Sequence, residues 1–282
     1  MTISQLTFPS MQKSLAEKID QSIAELRTYQ PEGEYYGCFS GGKDSVVVKE
    51  LARMAGVRAT WHYNVTGIDP PEVHRFVRRV HPDVAWIYNR KRHFFRMVVG
   101  NGYPTRTARR CCQEFKESHG HGQVMITGIR AAESPRRAKN WKPFTRWRSK
   151  KAAVASWILN PILYWSDADV WQFIHERGLP YCELYDEGFK RLGCIGCPMG
   201  GAKQVRREFA RWPQYERAWR RSFHRLWARR RGDIITRGKR KGRQWPGFPT
   251  ITTPDELFEW WVSGDSCPDK NDDIDDCQMG LF

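Results

Sequence analysis

The sequence predicts an α/β fold with an open, mostly parallel sheet, helices on both faces, and a basic helical C-terminal region. Short apolar segments alternate with helix-like segments over roughly the first two thirds of the chain. One of them, Tyr35 to Phe39, runs straight into the glycine turn Ser40-Gly41-Gly42 and then into a helical pattern. After Pro180 the alternation stops. Strands that alternate with helices form parallel sheets through right-handed crossovers.

The individual elements follow from local patterns. Apolar residues at helical spacing from Leu15 to Leu26, with the capping-box pair Ser14 and Glu17, predict a first amphipathic helix. Ser166 is expected to cap a later helix that ends near Gly178. Strands are expected at Tyr35–Phe39, Ala59–Val65, Val84–Tyr88, Val124–Thr127 and Ala155–Leu159.

These patterns divide the chain into four segments. An N-terminal helix occupies residues 1–33, and the α/β domain that begins with the glycine turn occupies residues 34–180. A cysteine loop and a basic helical region follow over residues 181–264. Residues 265–282 form an acidic tail whose composition predicts disorder.

Composition excludes several classes of protein. The chain has 282 residues with 40% hydrophobic content, which is enough to bury a core. No apolar run approaches the ~18 residues that a membrane span needs, so we expect no membrane partner. Charged residues stand near the start where a signal peptide would be apolar, which predicts a cytoplasmic protein. Its eight cysteines are then expected to be reduced, and to serve as ligands or nucleophiles.

The net charge of +16 is concentrated in two stretches. Between Lys203 and Arg243 there are sixteen Lys or Arg residues and three acids, a local excess of +13. A second basic stretch, from Arg130 to Lys151, has nine cations and one acid. The tail reverses the sign, with six aspartates between Asp265 and Asp276. Charge blocks of this kind typically mark interaction surfaces.

The glycine turn has the composition of a phosphate-binding loop. It reads Ser40, Gly41, Gly42, Lys43, Asp44, Ser45 and lies between a strand and a helix, where open parallel sheets bind ligands. Glycines allow close backbone approach, and amides at a helix start favour anions. Lys43 adds positive charge, whereas Asp44 beside phosphates implies an intervening divalent cation, Mg²⁺. A Walker loop is absent from the sequence.

This loop and three later segments resemble the phosphoadenosine-phosphosulfate reductase family of the ATP pyrophosphatase superfamily, whose PP-loop motif is SGGxDS. The superfamily has an adenine nucleotide alpha hydrolase-like fold. The resemblance spans roughly residues 34 to 200. It implies that ATP binds the loop, that Lys43 and Asp44 are catalytic, and that Arg130 and Arg136 hold phosphates. The later matching segments are Asn64-Val65-Thr66-Gly67 with Pro71-Glu72, Thr127-Gly128-Ile129-Arg130 with Glu133-Ser134 and Arg136, and Asn160-Pro161-Ile162 through Trp165, Asp169, Val170 and Trp171.

Four cysteines form two pairs, Cys111-Cys112 and the CxxC of Cys194 and Cys197. Four thiolates suit either Zn²⁺ or an iron–sulfur cluster. Adjacent cysteines followed by a distant CxxC resemble the cluster pattern of adenylylsulfate reductases and of DNA phosphorothioation pyrophosphatases, which favours a [4Fe–4S] cluster. Zinc and unliganded buried cysteines are the alternatives. Cys38 is interpreted as structural, and so is Cys182.

The basic region around a predicted helix indicates a polyanionic partner. Aromatic residues from Trp212 to Phe223 recur at three- and four-residue steps and are interpreted as a buried stripe. The density of arginine on the other faces favours nucleic acid, with a solvated cationic face or an acidic protein as the alternatives. The arginines are Arg217, Arg220, Arg221, Arg225, Arg229, Arg230 and Arg231, followed by Arg237, Lys239, Arg240, Lys241 and Arg243 in a loop.

Three functions account for these features to different degrees. The favoured one is an ATP pyrophosphatase that adenylylates nucleic acid for sulfur transfer, with DNA favoured over tRNA and a cysteine desulfurase as sulfur donor. It most resembles the DNA phosphorothioation pyrophosphatases. A second is a sulfonucleotide reductase that releases sulfite, for which Cys267 or Cys277 would supply the thiol, although the flanking aspartates oppose a reactive thiolate. A third is a non-catalytic nucleic-acid-binding regulator.

Overall fold

The computed structural model describes residues 13–106, 108–147, 154–236, 241–248 and 250–264. The acidic tail with Cys267 and Cys277 lies outside the described residues. So do Arg237, Lys239 and Arg240 of the basic loop. In the part of the chain that is described, no helix combines the length and the apolar character that crossing a membrane requires.

Helices and strands alternate as the sequence predicts. The strands are β1 Tyr35–Cys38, β2 Ala59–Val65, β3 Ala85–Tyr88, β4 Val124–Ile126, β5 Phe144–Trp147 and β6 Ser156–Leu159. The helices are α1 Leu15–Thr28, α2 Lys43–Ala55, α3 Pro71–Val80, α4 Phe94–Asn101, α5 Pro135–Asn140, α6 Asp167–Glu176, α7 Gly201–Arg211, α8 Pro213–Arg230 and α9 Pro254–Ser263. The predicted capping box at the start of α1 is present, and Ser166 caps α6 as predicted.

The six strands form one sheet in the order β3-β2-β1-β4-β6-β5. β1 pairs in parallel with β2 and with β4, and β4 pairs in parallel with β6. The open, mostly parallel α/β sheet is therefore confirmed. Chain order reverses between β1 and β4, and a topological switch point of this kind is where open sheets leave a crevice for ligands. The loop that follows β1 lies at this switch point.

The sequence did not indicate strand β5. It pairs antiparallel with β6, with Phe144 opposite Leu159 and Arg146 opposite Trp157. Only four residues long, the strand lies inside the second basic stretch, so its apolar alternation is too brief to stand out. Pairing with β6 at the end of the sheet, rather than local propensity, stabilises it.

The described residues divide into two compact units that are not contiguous in sequence. Unit 1 draws on Met1–His62, Asp83–Ala85 and Gly120–Cys182, and unit 2 on Tyr63–Pro82, Trp86–His119 and Glu183–Phe282. The last change from unit 1 to unit 2 falls after Cys182. Nothing in the sequence pattern indicates that residues 63–82 and 86–119 join the second unit.

Each unit has its own core. In unit 1, α1 and α2 pack together, and the fully buried Val47, Leu51 and Ile126 line the interior. In unit 2, α8 packs against α4 and α9. The predicted aromatic stripe of α8 is buried there, because Trp219 and Phe223 are fully inaccessible to solvent. Burial of such side chains is the main stabilising contribution to each unit.

Candidate active site

The loop after β1 in unit 1 leads into the N-terminus of α2, which has no side-chain cap. Gly41 has φ of 73°, a left-handed conformation that favours glycine, and it turns the chain from strand to helix. Gly42 occupies the N-cap position and contributes no side-chain hydrogen bond to the first turn. Uncapped amides at a helix N-terminus, with the positive end of the helix dipole, suit a phosphate group.

Two serines fix the shape of this loop. Ser45 Oγ donates to the carbonyl of Gly42 at 2.7 Å, and Ser40 Oγ lies 3.3 Å from Ser45 Oγ. Ser45 is buried, whereas Ser40 is exposed. Only Ser40 therefore has a hydroxyl on the solvent side of the loop.

Four charged side chains of unit 1, which we call the charge cluster, meet beside the loop. Arg130 Nε donates to Asp44 Oδ1 at 2.6 Å, and Arg130 Nη2 donates to Asp167 Oδ1 at 2.9 Å. Lys43 Nζ lies 3.0 Å from that Asp167 oxygen and 3.6 Å from Asp44 Oδ2. Both cations are almost fully buried, while Asp167 keeps 64% of its side chain exposed. The cluster thus holds two buried cations behind two more accessible carboxylates.

The charge cluster is electrostatically matched. Burial acts to raise the pKa of Asp167, but the hydrogen bond and charge of Lys43, together with Arg130, lower it below its usual value. Buried cations need an anionic partner, because desolvation without one is costly. Because Asp167 is mostly exposed, an arriving phosphate could replace it as the partner of Lys43 and Arg130.

Asp167 is the member of the cluster that sequence reasoning missed. Ser166 and Asp169 complete the cap of α6, since Asp169 N donates to Ser166 Oγ and Ser166 N donates to Asp169 Oδ2. That cap leaves Asp167, the other acid of the first turn, available for Lys43. The sequence feature that could have identified Asp167 is a second acidic residue in the first turn of a helix whose cap Ser166 and Asp169 already complete.

The two arginines that the resemblance implies differ in their surroundings. Arg130 is 3% exposed and belongs to the charge cluster, so it is not a solvated surface residue. Arg136 lies exposed on α5, outside the cluster. A phosphate-binding role for Arg136 therefore stays a prediction. Nearby, Gly128 lies so close to α2 that a Cβ atom there would stand 3.1 Å from the backbone of Asp44.

The four cysteines of the two pairs all belong to unit 2. Cys111 and Cys112 lie where a short π-helical turn, Cys112–Lys116, begins, and Cys194 and Cys197 lie in the loop before α7. The thiols of Cys111 and Cys112 hydrogen-bond each other, and the charge of either Cys194 or Cys197 would raise the pKa of Cys111. The structure therefore brings residues more than eighty positions apart to one place.

Hydrogen bonds from three directions hold the CxxC turn in place within unit 2. Gly196, with φ of 76°, donates its N–H to the buried Glu208 on α7 at 2.7 Å. Trp219 Nε1 of α8 donates to the carbonyl of Ile195 at 3.1 Å, and Ile195 N donates to the carbonyl of Ile68 at 2.8 Å. A Cβ atom on Gly196 would lie 2.6 Å from Trp219 Nε1, so the turn requires glycine.

Charges around the cysteines favour thiolate at one position. The hydrogen bond from Cys111 lowers the pKa of Cys112, and Lys116 and Arg109 lower it further. Burial raises the pKa of Cys194 to about 11, although Lys116 opposes this. Lys116 in turn has its pKa raised by Cys194 and by Asp69, and so remains a cation. The cysteine site thus contains a fixed positive charge.

The cysteine site brings together four thiols, and their surroundings lower the pKa of Cys112 while raising the pKa of the other three. Across the described ranges, no group of three or more His, Cys, Asp or Glu side chains is arranged to hold one metal ion. Outside the two pairs, Cys38 on β1 has its pKa raised to about 12 by burial. Cys182 is 1% exposed. Both have the surroundings of structural cysteines.

Helix α8 carries an arginine strip, consisting of Arg217, Arg221, Arg225 and Arg229, all exposed. Their four-residue spacing repeats about every 6 Å along the helix. Arg220 does not belong to this exposed face, which corrects its sequence assignment. Its guanidinium contacts Glu216 and Glu259 at 2.9 and 2.5 Å and stacks 4.3 Å above Phe258. Arg230 likewise pairs with Asp233, at 3.4 Å.

Comparison with known families shows what the chain is similar to. The model of the phosphoadenosine phosphosulfate reductase domain matches residues 34–199, more than half of the chain. The matched range contains the loop after β1, the charge cluster and all four cysteines of the cysteine site. The arginine strip lies beyond it.

Individual relatives are similar to this chain over only part of their own length. An uncharacterized protein of Methanocaldococcus jannaschii is 32% identical over 198 residues, covering 64% of this chain and 40% of that protein. An adenosine 5'-phosphosulfate reductase of Staphylococcus epidermidis is 38% identical over 72 residues, covering 26% of this chain and 28% of that enzyme. The matches thus span less than half the length of either relative.

Two solved structures that are similar to this chain are a reductase and an adenylyltransferase. A phosphoadenylyl-sulfate reductase from Candida auris superimposes with a TM-score of 0.45 and 17% identity, covering 66% of this chain and 98% of that one. The FMN adenylyltransferase of Candida glabrata, crystallised with FAD and inorganic pyrophosphate, gives 0.47 and 18%, covering 68% of each chain.

Proposed function

Since the chain belongs to the phosphoadenosine phosphosulfate reductase family of the PP-loop superfamily, we propose that it is an ATP pyrophosphatase that activates nucleic acid for sulfur transfer. The observation that carries the proposal is the charge cluster beside the uncapped start of α2, at the switch point of the sheet. Two buried cations beside a helix N-terminus that has no side-chain cap suit a polyphosphate.

The proposed reaction has two steps, and the charge cluster supports the first of them. An oxygen of the acceptor attacks the α-phosphorus of ATP, the bond to the bridging oxygen breaks, and pyrophosphate leaves. A sulfur nucleophile at the oxidation level of hydrosulfide then displaces AMP from the adenylylated acceptor. Lys43, Arg130 and the amides at the start of α2 take up the charge that develops on the departing pyrophosphate.

The carboxylates of the cluster suit a magnesium ion. Asp44 and Asp167 supply hard oxygen donors, and both are partly accessible beside the loop. When bound, Mg²⁺ neutralises phosphate charge and holds the triphosphate in a reactive conformation. Asp44 would be its principal ligand, while Arg130 orients the Asp44 carboxylate through the bond from Nε.

The cysteine site suits a [4Fe–4S] cluster, held by Cys111, Cys112, Cys194 and Cys197. The donor set is four thiols from two segments, with Lys116 to balance negative charge. Zinc is the alternative, because four thiolates also suit Zn²⁺. When bound, a cluster ties the two segments together and supplies one-electron chemistry. Stoichiometric zinc without iron in anaerobically purified protein would reverse this assignment.

The acceptor is proposed to be nucleic acid, with DNA favoured over tRNA. The arginine strip supports this choice, because four exposed cations at regular spacing match a polyanion rather than a small substrate. A cysteine desulfurase would supply the sulfur as a persulfide, and a thiol reductant would bring that sulfur to the hydrosulfide level.

The test is ATP turnover with Mg²⁺ in the presence and absence of DNA or tRNA, with AMP and pyrophosphate measured separately. We expect nucleic acid to stimulate pyrophosphate release, whereas AMP should stay bonded to the acceptor until a sulfur nucleophile is added and displaces it. Asp44→Asn should abolish release while the protein stays folded, because the change removes charge at nearly constant volume. Nucleic-acid binding without any pyrophosphate release would instead indicate a regulator.

A second candidate, supported by the relative in Staphylococcus epidermidis, is an adenosine 5'-phosphosulfate reductase. That reaction needs a thiol to attack sulfur and release sulfite, and Cys277 or Cys267 would have to provide it. Truncation before Cys267 separates the two candidates. The pyrophosphatase should retain its activity after truncation, whereas a reductase should lose sulfite release.

A further inference from the structure

A column of three aromatic rings lies on one face of the β5–β6 pair in unit 1. Tyr29, from the C-terminal end of α1, stacks on Phe144 with ring centroids 4.1 Å apart and an angle of 14°. Phe144 stacks on Trp157 of β6 at 4.8 Å and 5°. Three parallel rings thus continue across a helix end and two strands.

Both ends of the column are open to solvent. Trp157 is 42% exposed and Tyr29 is 38% exposed, although large aromatic side chains are usually buried in cores. The opposite face of the same strands differs, since Ile158 there packs with Tyr36 and Met125 in a buried cluster. The column is therefore an aromatic surface rather than part of the unit 1 core.

Exposed cationic side chains lie on β5 and just before it. Arg146 lies directly opposite Trp157 in the antiparallel register, so the two side chains share a face of the sheet, and Arg146 is exposed. Lys139 and Lys142, just before β5, are also exposed. The charge cluster uses Arg130, and Arg137 pairs with Glu133. Among the described residues of the second basic stretch, Arg136, Lys139, Lys142 and Arg146 are thus exposed to a partner.

We propose that the Tyr29–Phe144–Trp157 column and Arg146 bind a single-stranded segment of nucleic acid, with an unpaired base stacked on Trp157. The inference rests on the proposed function for the presence of a nucleic-acid partner, and it adds that the acceptor is engaged where its bases are unpaired. Aromatic rings and nearby cations are the two features by which proteins bind single-stranded nucleic acid. The rings stack on the faces of the bases, and the cations contact the phosphates.

The observations favour nucleic acid over a second copy of the chain. The exposed end of Trp157 would suit either partner, and β5 is a terminal strand of the sheet to which another strand could be added. However, β5 has only four residues, which offers few backbone hydrogen bonds to an added strand, and Lys142 and Arg146 lie before and within it. With a net charge of +16, two copies placed edge to edge would repel each other.

The experiment measures binding of a fluorescein-labelled oligothymidine to the full chain by fluorescence anisotropy. Trp157→Leu keeps apolar contact with Phe144 but removes the ring, and we expect it to weaken binding about tenfold, the value of one base stack. Trp157→Phe should retain most of the affinity. Arg146→Ala should reduce the slope of log affinity against log salt concentration by about 0.7, which is the contribution of one phosphate contact in single-stranded nucleic acid.

Tyr88→Ala provides a matched control. Tyr88 is an exposed aromatic residue, at 52%, on the opposite terminal strand β3, and its loss should leave oligothymidine binding unchanged. Binding to a blunt duplex of equal length should be the same for Trp157→Leu and for the unaltered protein, because paired bases are not free to stack. Pyrophosphate release from ATP alone should also be unaltered.

Two results would overturn the inference. One is unchanged oligothymidine affinity in Trp157→Leu while the arginine strip still supports duplex binding, which would leave the proposed function standing. The other is a loss of self-association in Trp157→Leu, measured by sedimentation, without a change in oligothymidine affinity, which would assign the column to a second copy. Failure of the proposed function is distinct from both, because it would appear as absent pyrophosphate release in the unaltered protein.

Discussion

Arg130 and Asp44 form an ion pair of 2.6 Å across 86 residues of sequence. The pair joins the segment after β4 to the first turn of α2, so it connects the two strand ends that flank the switch point of the sheet. Arg130 also holds Asp167, and Lys43 contacts both carboxylates. The phosphate-binding loop is therefore part of a charge network rather than an isolated glycine turn.

Replacing Arg130 tests that network. Arg130→Ala should lower pyrophosphate release by about 10²–10³-fold, the usual cost of losing one preorganised donor. Arg130→Lys should recover little, because a lysine cannot contact Asp44 and Asp167 with two separate nitrogens. The control is Arg53→Ala, also in unit 1, since Arg53 is exposed on α2 and pairs only locally with Glu50. Similar activity in Arg130→Ala and Arg53→Ala would exclude Arg130 from the site.

Asp167 gives the charge network a pH dependence. Its lowered pKa means that the folded state favours the ionised carboxylate. The stability it contributes is fully present above its usual value of 3.8 and is lost as pH falls through the lower folded-state pKa. Asp167→Asn should therefore melt at a lower temperature than the unaltered protein at pH 7, and this difference should shrink below about pH 4. A difference that is constant over pH 3 to 7 would contradict the pairing.

Much of the fold and the loop could be predicted from sequence, because both depend on local patterns. The capping boxes, the strand periodicities and the glycine turn are all readable within a few residues. Strand β5 and Asp167 were missed for the opposite reason, since each is defined by a distant partner. The sequence also placed Arg220 with the exposed arginines, because the acids that neutralise it come partly from α9.

Substitution of Gly196 tests whether the cysteine site requires the observed conformation of the CxxC turn. Gly196→Ala should destabilise the CxxC turn, because its φ is positive and a Cβ atom would collide with Trp219 and Phe209. We expect iron content after anaerobic purification to fall severalfold and the melting temperature to drop. Gly193→Ala is the control, since a Cβ atom there would meet no atom within 4 Å. Equal iron content in the two variants would show that the turn geometry does not matter for the ligand set.

The arginine strip and Arg220 should respond differently to substitution. Changing Arg217, Arg221, Arg225 and Arg229 together to Ala should weaken duplex DNA binding and reduce the salt slope by up to about 3.6, or 0.9 for each phosphate contact. Thermal stability should change little, because all four side chains are exposed. Arg220→Ala should do the reverse, lowering the melting temperature through its lost ion pairs while leaving the salt slope unaltered. Loss of DNA affinity only in Arg220→Ala would refute the assignment.

Sulfur transfer itself is the most direct measurement. The full chain is incubated with ATP, Mg²⁺, a cysteine desulfurase, sulfur-labelled cysteine, a thiol reductant and either DNA or tRNA; label is counted in the nucleic acid, and released pyrophosphate and sulfite are measured chemically. A parallel reaction supplies adenylylsulfate in place of ATP. We predict label retained in DNA, one sulfur for each pyrophosphate released, and none of it when Asp44→Asn replaces the unaltered protein. Sulfite release from adenylylsulfate, with no pyrophosphate from ATP and no label in either nucleic acid, would contradict the account.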